Sequence, residues 1–244
     1  MRWFGKLVGV VVAQELAVLL GVFVVVGGTW GFIELADQVK DERTQKFDDW
    51  AIRSLRRADD PRVPIGPAWT QEVARDLTAL GGVAVLLLAT TAVLGFFVMR
   101  RAYASMGFLL VATLGGLGLS VALKGFFNRP RPQLVEHLSQ VYTSSFPSGH
   151  SMLSAVVYLT LGALLARLVH NRRSKVYILI VALSLTFLVG VSRVFMGVHY
   201  PTDVLAGWTA GLVWAVVCWL VAKRLSVTSP STCERCGRSG DGTA

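Results

Sequence analysis

The stretch "VYILIVALSLTFLVGVSRVFM", residues 176–196, carries a single charged side chain, Arg193, close to its end. About 20 consecutive apolar residues wound as a helix match the hydrocarbon thickness of a bilayer. Helix is the expected form, because a backbone in lipid must satisfy its own hydrogen bonds. Five further runs have the same character, at residues 7–29, 77–99, 103–123, 146–169 and 204–222. The 244 residues are 53% hydrophobic and 16% charged, which excludes an ordinary soluble domain. The expectation is an all-α membrane protein with six transmembrane helices in one bundle spanning residues 1–222. A polar tail, 223–244, is expected to be cytoplasmic and disordered.

The opening "MRWFGK" and its apolar run resemble a secretory signal. The run is long, contains Glu15 and ends in "VVVGGTWGF" without a small-x-small cleavage site, so it reads as a retained first helix. Glu15 itself is read as a paired or protonated bundle residue, with a functional role as the alternative. The net charge of +9 does not point to nucleic acid. Its Lys and Arg residues gather at the amino end, at the joints near Arg100 and Arg172, and in the tail, whereas residues 30–76 hold eight basic and ten acidic residues. By the positive-inside rule both termini and those two joints face the cytoplasm, and the other three connections face outward. Cys218 lies in an apolar run, and Cys233 with Cys236 forms one CxxC without the second half of a zinc site.

In the long first connection, Phe47, Trp50, Ala51, Ser54 and Leu55 recur at three- and four-residue spacing, which predicts an amphipathic helix in the membrane interface. Pro61, Pro64 and Pro67 end it, and Trp69 suits headgroup depth. It is either a substrate-admitting collar or a plain connector. The small residues of "TLGGLGLS", 113–120, predict close helix packing.

Three polar stretches fall at the outward ends of the expected helices: "KGFFNRPRP" (124–132), "FPSGHS" (146–151) and "SRVFMGVHYPTD" (192–203). They place Lys124, Arg129, Arg131 and Arg193 on one membrane face. Cations so placed repel one another unless an anion joins them, and phosphate suits both the guanidinium fork and the ammonium point charge. Ser148 and Gly149 open a helix whose amino terminus favours an anion, and His150 follows, able to protonate a leaving oxygen. Asp203 sits four residues after His199, close enough to fix its tautomer and leave the other ring nitrogen to attack.

At these residues the chain resembles the type 2 phosphatidic acid phosphatase family. The family's signature matches at Lys124, Arg131 and Pro132; at Pro147, Ser148, Gly149 and His150; and at Ser192, Arg193, His199 and Asp203. The resemblance implies that His199 is transiently phosphorylated, Asp203 orients it and His150 protonates the departing group. It implies that Lys124, Arg131, Arg193, Ser148 and the Gly149 amide hold the phosphoryl oxygens, with no metal or other cofactor. Arg129 lies outside the signature and is read as a supporting or headgroup contact. The expected reaction is hydrolysis of a lipid phosphate or diphosphate at the outer leaflet: an isoprenoid diphosphate, phosphatidylglycerol phosphate or phosphatidic acid. A lipid phosphotransferase and a noncatalytic lipid-phosphate binding or transport protein are the alternatives, and the membrane lipid is the expected partner.

Overall fold

The computed structural model describes residues 2–132 and 144–228, so the expectations for Cys233 and Cys236 lie outside the described residues. The elements are α1 (Arg2–Lys40), α2 (Gln45–Ser54), α3 (Trp69–Ala79), α4 (Val83–Met99), α5 (Tyr103–Phe126), α6 (Gly149–Leu168), α7 (Arg172–Phe195) and α8 (Pro201–Thr228). Among the described residues no strand forms, and Arg56 with Pro64 makes one isolated bridge. Five helices are long and apolar enough to cross a membrane, and α3 with α4 supplies a sixth span if the bent pair counts as one. Leu19, Phe23, Leu87, Leu88, Val111 and Phe187 point outward, the apolar face that lipid covers.

The expected second span, 77–99, is not one straight helix. It breaks at Gly81 and Gly82, and its two halves bend by 45°. A Cβ on Gly81 would lie 2.3 Å from Val189 Cγ1, so only glycine lets this joint press against α7. The first helix also differs from its expected end at Thr29, since α1 continues to Lys40. Ala36 and Val39, with Phe32 and Leu35, pack against Phe146 and Ala206. Their three- and four-residue spacing gives this extension a buried stripe of its own. At the other end of the chain, α8 runs to Thr228, past the expected boundary at 222.

Helix α6 is the centre of the bundle, packed by α5, α7 and α8, while α1 lies along α8. The α6–α8 contact is unusually close. Cβ atoms on Gly207 and Gly211 would stand 2.6 Å from the carbonyl oxygens of Ser148 and Met152, respectively. This small-x-x-x-small pattern lets the two backbones touch and brings the start of α6 beside the start of α8. Indole donors add directional ties, with Trp214 Nε1 donating to Ala112 O at 2.8 Å and Trp208 Nε1 to Thr186 O at 3.1 Å.

The predicted helix in the first connection forms as α2, and its orientation is instructive. Phe47 and Trp50, the aromatic part of the predicted stripe, are exposed, whereas Asp48 and Ile52 are wholly buried against the bundle.

Candidate active site

The site is assembled at one end of the bundle from the end of α5, the segment 127–132, the turn 144–148 before α6, the end of α7 and the turn leading into α8. Backbone bonds fix these pieces together. Ser145 N donates to Arg129 O at 2.8 Å, and Ser148 N donates to Asp203 O at 2.9 Å. Ser144 Oγ donates to Lys124 O at 2.8 Å, tying the turn to the last turn of α5. The Phe146–Pro147 peptide is cis.

His199 is 1% exposed, and its two ring nitrogens have different neighbours. Arg131 Nη1 stands 3.1 Å from Nε2. A guanidinium can only donate, so Nε2 is the acceptor and the ring proton is assigned to Nδ1. On the Nδ1 side, Ser145 Oγ is 3.3 Å away and Asp203 Oδ2 is 3.5 Å away. Ser145 Oγ in turn donates to Asp203 Oδ2 in a short hydrogen bond. The hydroxyl thus relays between imidazole and carboxylate. Tyr200 N also donates to Oδ2, at 2.9 Å, which fixes the carboxylate plane. Burial pushes His199 down to about 4, against the opposing pull of Asp203, with Arg131 and Arg193 adding to the effect of burial. The ring is therefore neutral at pH 7, with the Nε2 lone pair directed at Arg131.

The other expected residues surround the same space. Arg131 Nη1 also donates to Val198 O at 2.7 Å. Arg193 is 2% exposed and reaches Thr78 of α3 through Nη1 at 3.0 Å, while its buried Nε has no partner among the described residues. Lys124 lies over the start of α6, its Cε 3.1 Å from where a Cβ on Gly149 would sit. Lys124, Arg131 and Arg193 are close enough to repel one another, and His150 interacts electrostatically with all three and with His199. Ser148 is fully buried, does not cap α6 with its side chain and accepts from Ser151 Oγ at 3.0 Å. All eight expected residues, His199, His150, Asp203, Lys124, Arg131, Ser148, Gly149 and Arg193, are thus gathered at one end of the bundle. Such a concentration of fixed donors around one neutral imidazole stabilises an anion with its charge spread over several oxygens.

The structure gives Arg129, expected as a supporting or headgroup contact, its partners, and adds one group to which the sequence did not point. Arg129 is an integral part of the site: its Nη1 donates to Asp203 Oδ1 at 2.6 Å and its Nη2 to Asp48 Oδ2 at 2.8 Å. Burial works against its charge, and the carboxylates of Asp203 and Asp48 outweigh it, holding the guanidinium above its ordinary range. Asp48 had no place in the sequence reading. Beside the site, a cavity of about 600 Å³ is lined by Ala36, Val39, Phe126, Phe127 and Phe146 on its apolar side, and by Gln45, Arg129 and Tyr200 among its polar residues.

Comparison with known proteins agrees with this geometry. The sequence profile of the PAP2 superfamily matches residues 104–226. Phosphatidylglycerophosphatase B of Bacillus subtilis (strain 168) is 37% identical over 184 residues, covering 75% of this chain and 86% of that protein. The crystal structure of the transmembrane PAP2-type phosphatidylglycerolphosphate phosphatase from Bacillus subtilis superposes with a TM-score of 0.74 at 29% identity, covering 83% of this chain and 98% of that one. Aquifex aeolicus LpxE superposes with a TM-score of 0.52 at 26% identity, covering 64% of this chain and 88% of that one. The chain belongs to the PAP2 superfamily, as an integral membrane phosphatase acting on lipid phosphates.

Proposed function

We propose that this phosphatase works through a phosphohistidine at His199 and that its substrate is a lipid phosphomonoester of the phosphatidylglycerol phosphate kind. The observation that carries the proposal is the pairing of a buried, neutral His199 with Arg131 at the nitrogen that would attack. In the first step Nε2 bonds to phosphorus as the bond from phosphorus to the lipid oxygen breaks, and His150 gives its proton to that oxygen. A bound dianionic phosphate would offset the surrounding cations and favour the protonated form of His150. In the second step water attacks phosphorus, His150 takes the water's proton, and inorganic phosphate departs from His199. Lys124, Arg131, Arg193, the Ser148 hydroxyl and the Gly149 amide hold the three equatorial oxygens, and no metal is required of them. Asp203 balances the positive character that His199 gains in between.

The cavity beside the site supports a lipid over a soluble substrate. Its aromatic side accepts the base of a tail, and its polar side accepts a headgroup. The relatives named as phosphatidylglycerophosphatases favour phosphatidylglycerol phosphate over an isoprenoid diphosphate or phosphatidic acid. The chain forms a six-span bundle with α2 in the membrane interface and the site at the outward face, because the basic joints lie at its other end. A phosphate-release panel over the three lipid classes, with and without chelator, tests this reading. The expected result is fastest release from phosphatidylglycerol phosphate, unaffected by chelation. Transfer of phosphate to a second lipid with none released would replace hydrolysis by phosphotransfer.

A further inference from the structure

Asp203 belongs to a buried chain of charges that begins outside the signature. Arg129 bridges it to Asp48 of α2, and the side chains of Asp48 and Asp203 are fully buried with that of Arg129 only 9% exposed. Asp48 Oδ1 accepts the Thr202 N–H at 3.2 Å, and Asp48 Oδ2 accepts the Thr202 hydroxyl at 2.6 Å. Pro201 has no N–H, and the Thr202 amide is one of the donors that a helix start leaves unsatisfied. Asp48 therefore caps α8 from a different helix. The Arg129 guanidinium also lies 4.3 Å over the Tyr200 ring, next to His199 in sequence.

Taking two carboxylates out of water is costly unless they are paired and hydrogen-bonded. A lone anchor for α2 would not need that cost. Burial raises the pKa of Asp48, opposed by its bonds to Arg129 and Thr202; with both carboxylates ionised, one shared guanidinium leaves the group with a net negative charge, set against the Nδ1 side of His199. A net negative charge there stabilises the imidazole as it gains positive character on bonding to phosphorus.

We infer that Asp48 and Arg129 are positioning residues of the reaction: they dock α2 onto the start of α8, hold the Asp203 carboxylate in its plane, and set the nucleophilicity of His199 through the charge of the group. The inference rests on His199 being the nucleophile. His199 is also faced by Arg131 from the segment 127–132, Arg193 from α7, His150 from α6 and Asp203 from α8, all of which remain in the variants below.

The test compares the full chain with Asp48→Asn and Arg129→Gln in detergent. Each is assayed on p-nitrophenyl phosphate and on a short-chain lipid phosphate across pH 2.5 to 8. Both variants are expected to lose about 10- to 100-fold in kcat, with KM within about twofold of the parent. The acid limb of kcat should move to lower pH in Asp48→Asn, which removes a negative charge, and to higher pH in Arg129→Gln, which removes a positive one. A mere loss of folded protein cannot move the limb in opposite directions. Parental kcat, an effect confined to KM, or limbs that stay put or move together would overturn the inference. If either variant fails to fold, Asp48→Glu and Arg129→Lys keep the charge: lowered kcat with an unmoved limb supports the inference, and parental kcat overturns it. Turnover retained in His199→Gln would instead remove the nucleophile itself.

Discussion

Arg131 Nη1 lies between the Val198 carbonyl at 2.7 Å and His199 Nε2 at 3.1 Å. The same nitrogen therefore holds the turn that carries His199, the proposed nucleophile, and is placed to meet a phosphoryl oxygen bound to it. Arg131→Ala is expected to weaken inhibition by orthovanadate by about 10- to 100-fold, the loss of one or two charge-assisted hydrogen bonds. The inhibition constant measures this directly, and an unchanged constant would place Arg131 outside the phosphate site.

His150 interacts with the three cations of the cradle and with His199, and the proposed mechanism makes it the proton donor to the leaving oxygen. Its replacement by Ala should slow cleavage of an alkyl phosphate by about 10²- to 10⁴-fold, and that of p-nitrophenyl phosphate much less, because nitrophenolate leaves without a proton. Equal losses on both would deny His150 the role of acid.

Burial holds His199 at about 4 in the folded protein, against an ordinary value of 6.5. Between those values the unfolded chain binds a proton that the folded chain does not. The stability contribution is therefore complete above the ordinary value and is lost as pH falls from there toward 4, on the order of 3 kcal/mol in all. Thermal midpoints of the parent should fall between pH 7 and pH 4.5 by more than those of His199→Gln, and parallel slopes would contradict the assignment.

The approach of Gly211 to the Met152 carbonyl leaves no room for a side chain. Gly211→Val should separate α6 from α8 and cost about 1 to 3 kcal/mol or more, seen as a lower thermal midpoint in detergent. An unchanged midpoint would show that this contact does not hold the bundle together.

The gathering of the eight expected residues at one end of the bundle was legible because each lies in a short stretch at fixed spacing, and because helix ends could be located from the apolar runs. Asp48 was not legible for the same reason: its partners lie 81 residues away at Arg129 and 154 away at Thr202. The aromatic part of the stripe that predicted α2 faces outward, and the buried face is Asp48 and Ile52, one helical turn apart, with Arg56 buried just beyond the helix end. An aspartate and an isoleucine at four-residue spacing were the available signal. The bend in the second span was also marked, by Gly81 and Gly82, but apolar length alone made 77–99 look continuous. The extension of α1 was hidden by its charges, although Phe32, Leu35, Ala36 and Val39 carry helical spacing through them.

A rapid-quench experiment bears most directly on the mechanism. Full-length protein is mixed with lipid phosphate, quenched in base within the first turnover, digested and analysed by mass spectrometry, since a phosphohistidine survives alkali and is lost in acid. The account predicts phosphate on the peptide containing His199, at about one per chain at the start of turnover and absent from His199→Gln. Phosphate on another residue, or full turnover with no phosphorylated peptide at any time, would contradict it.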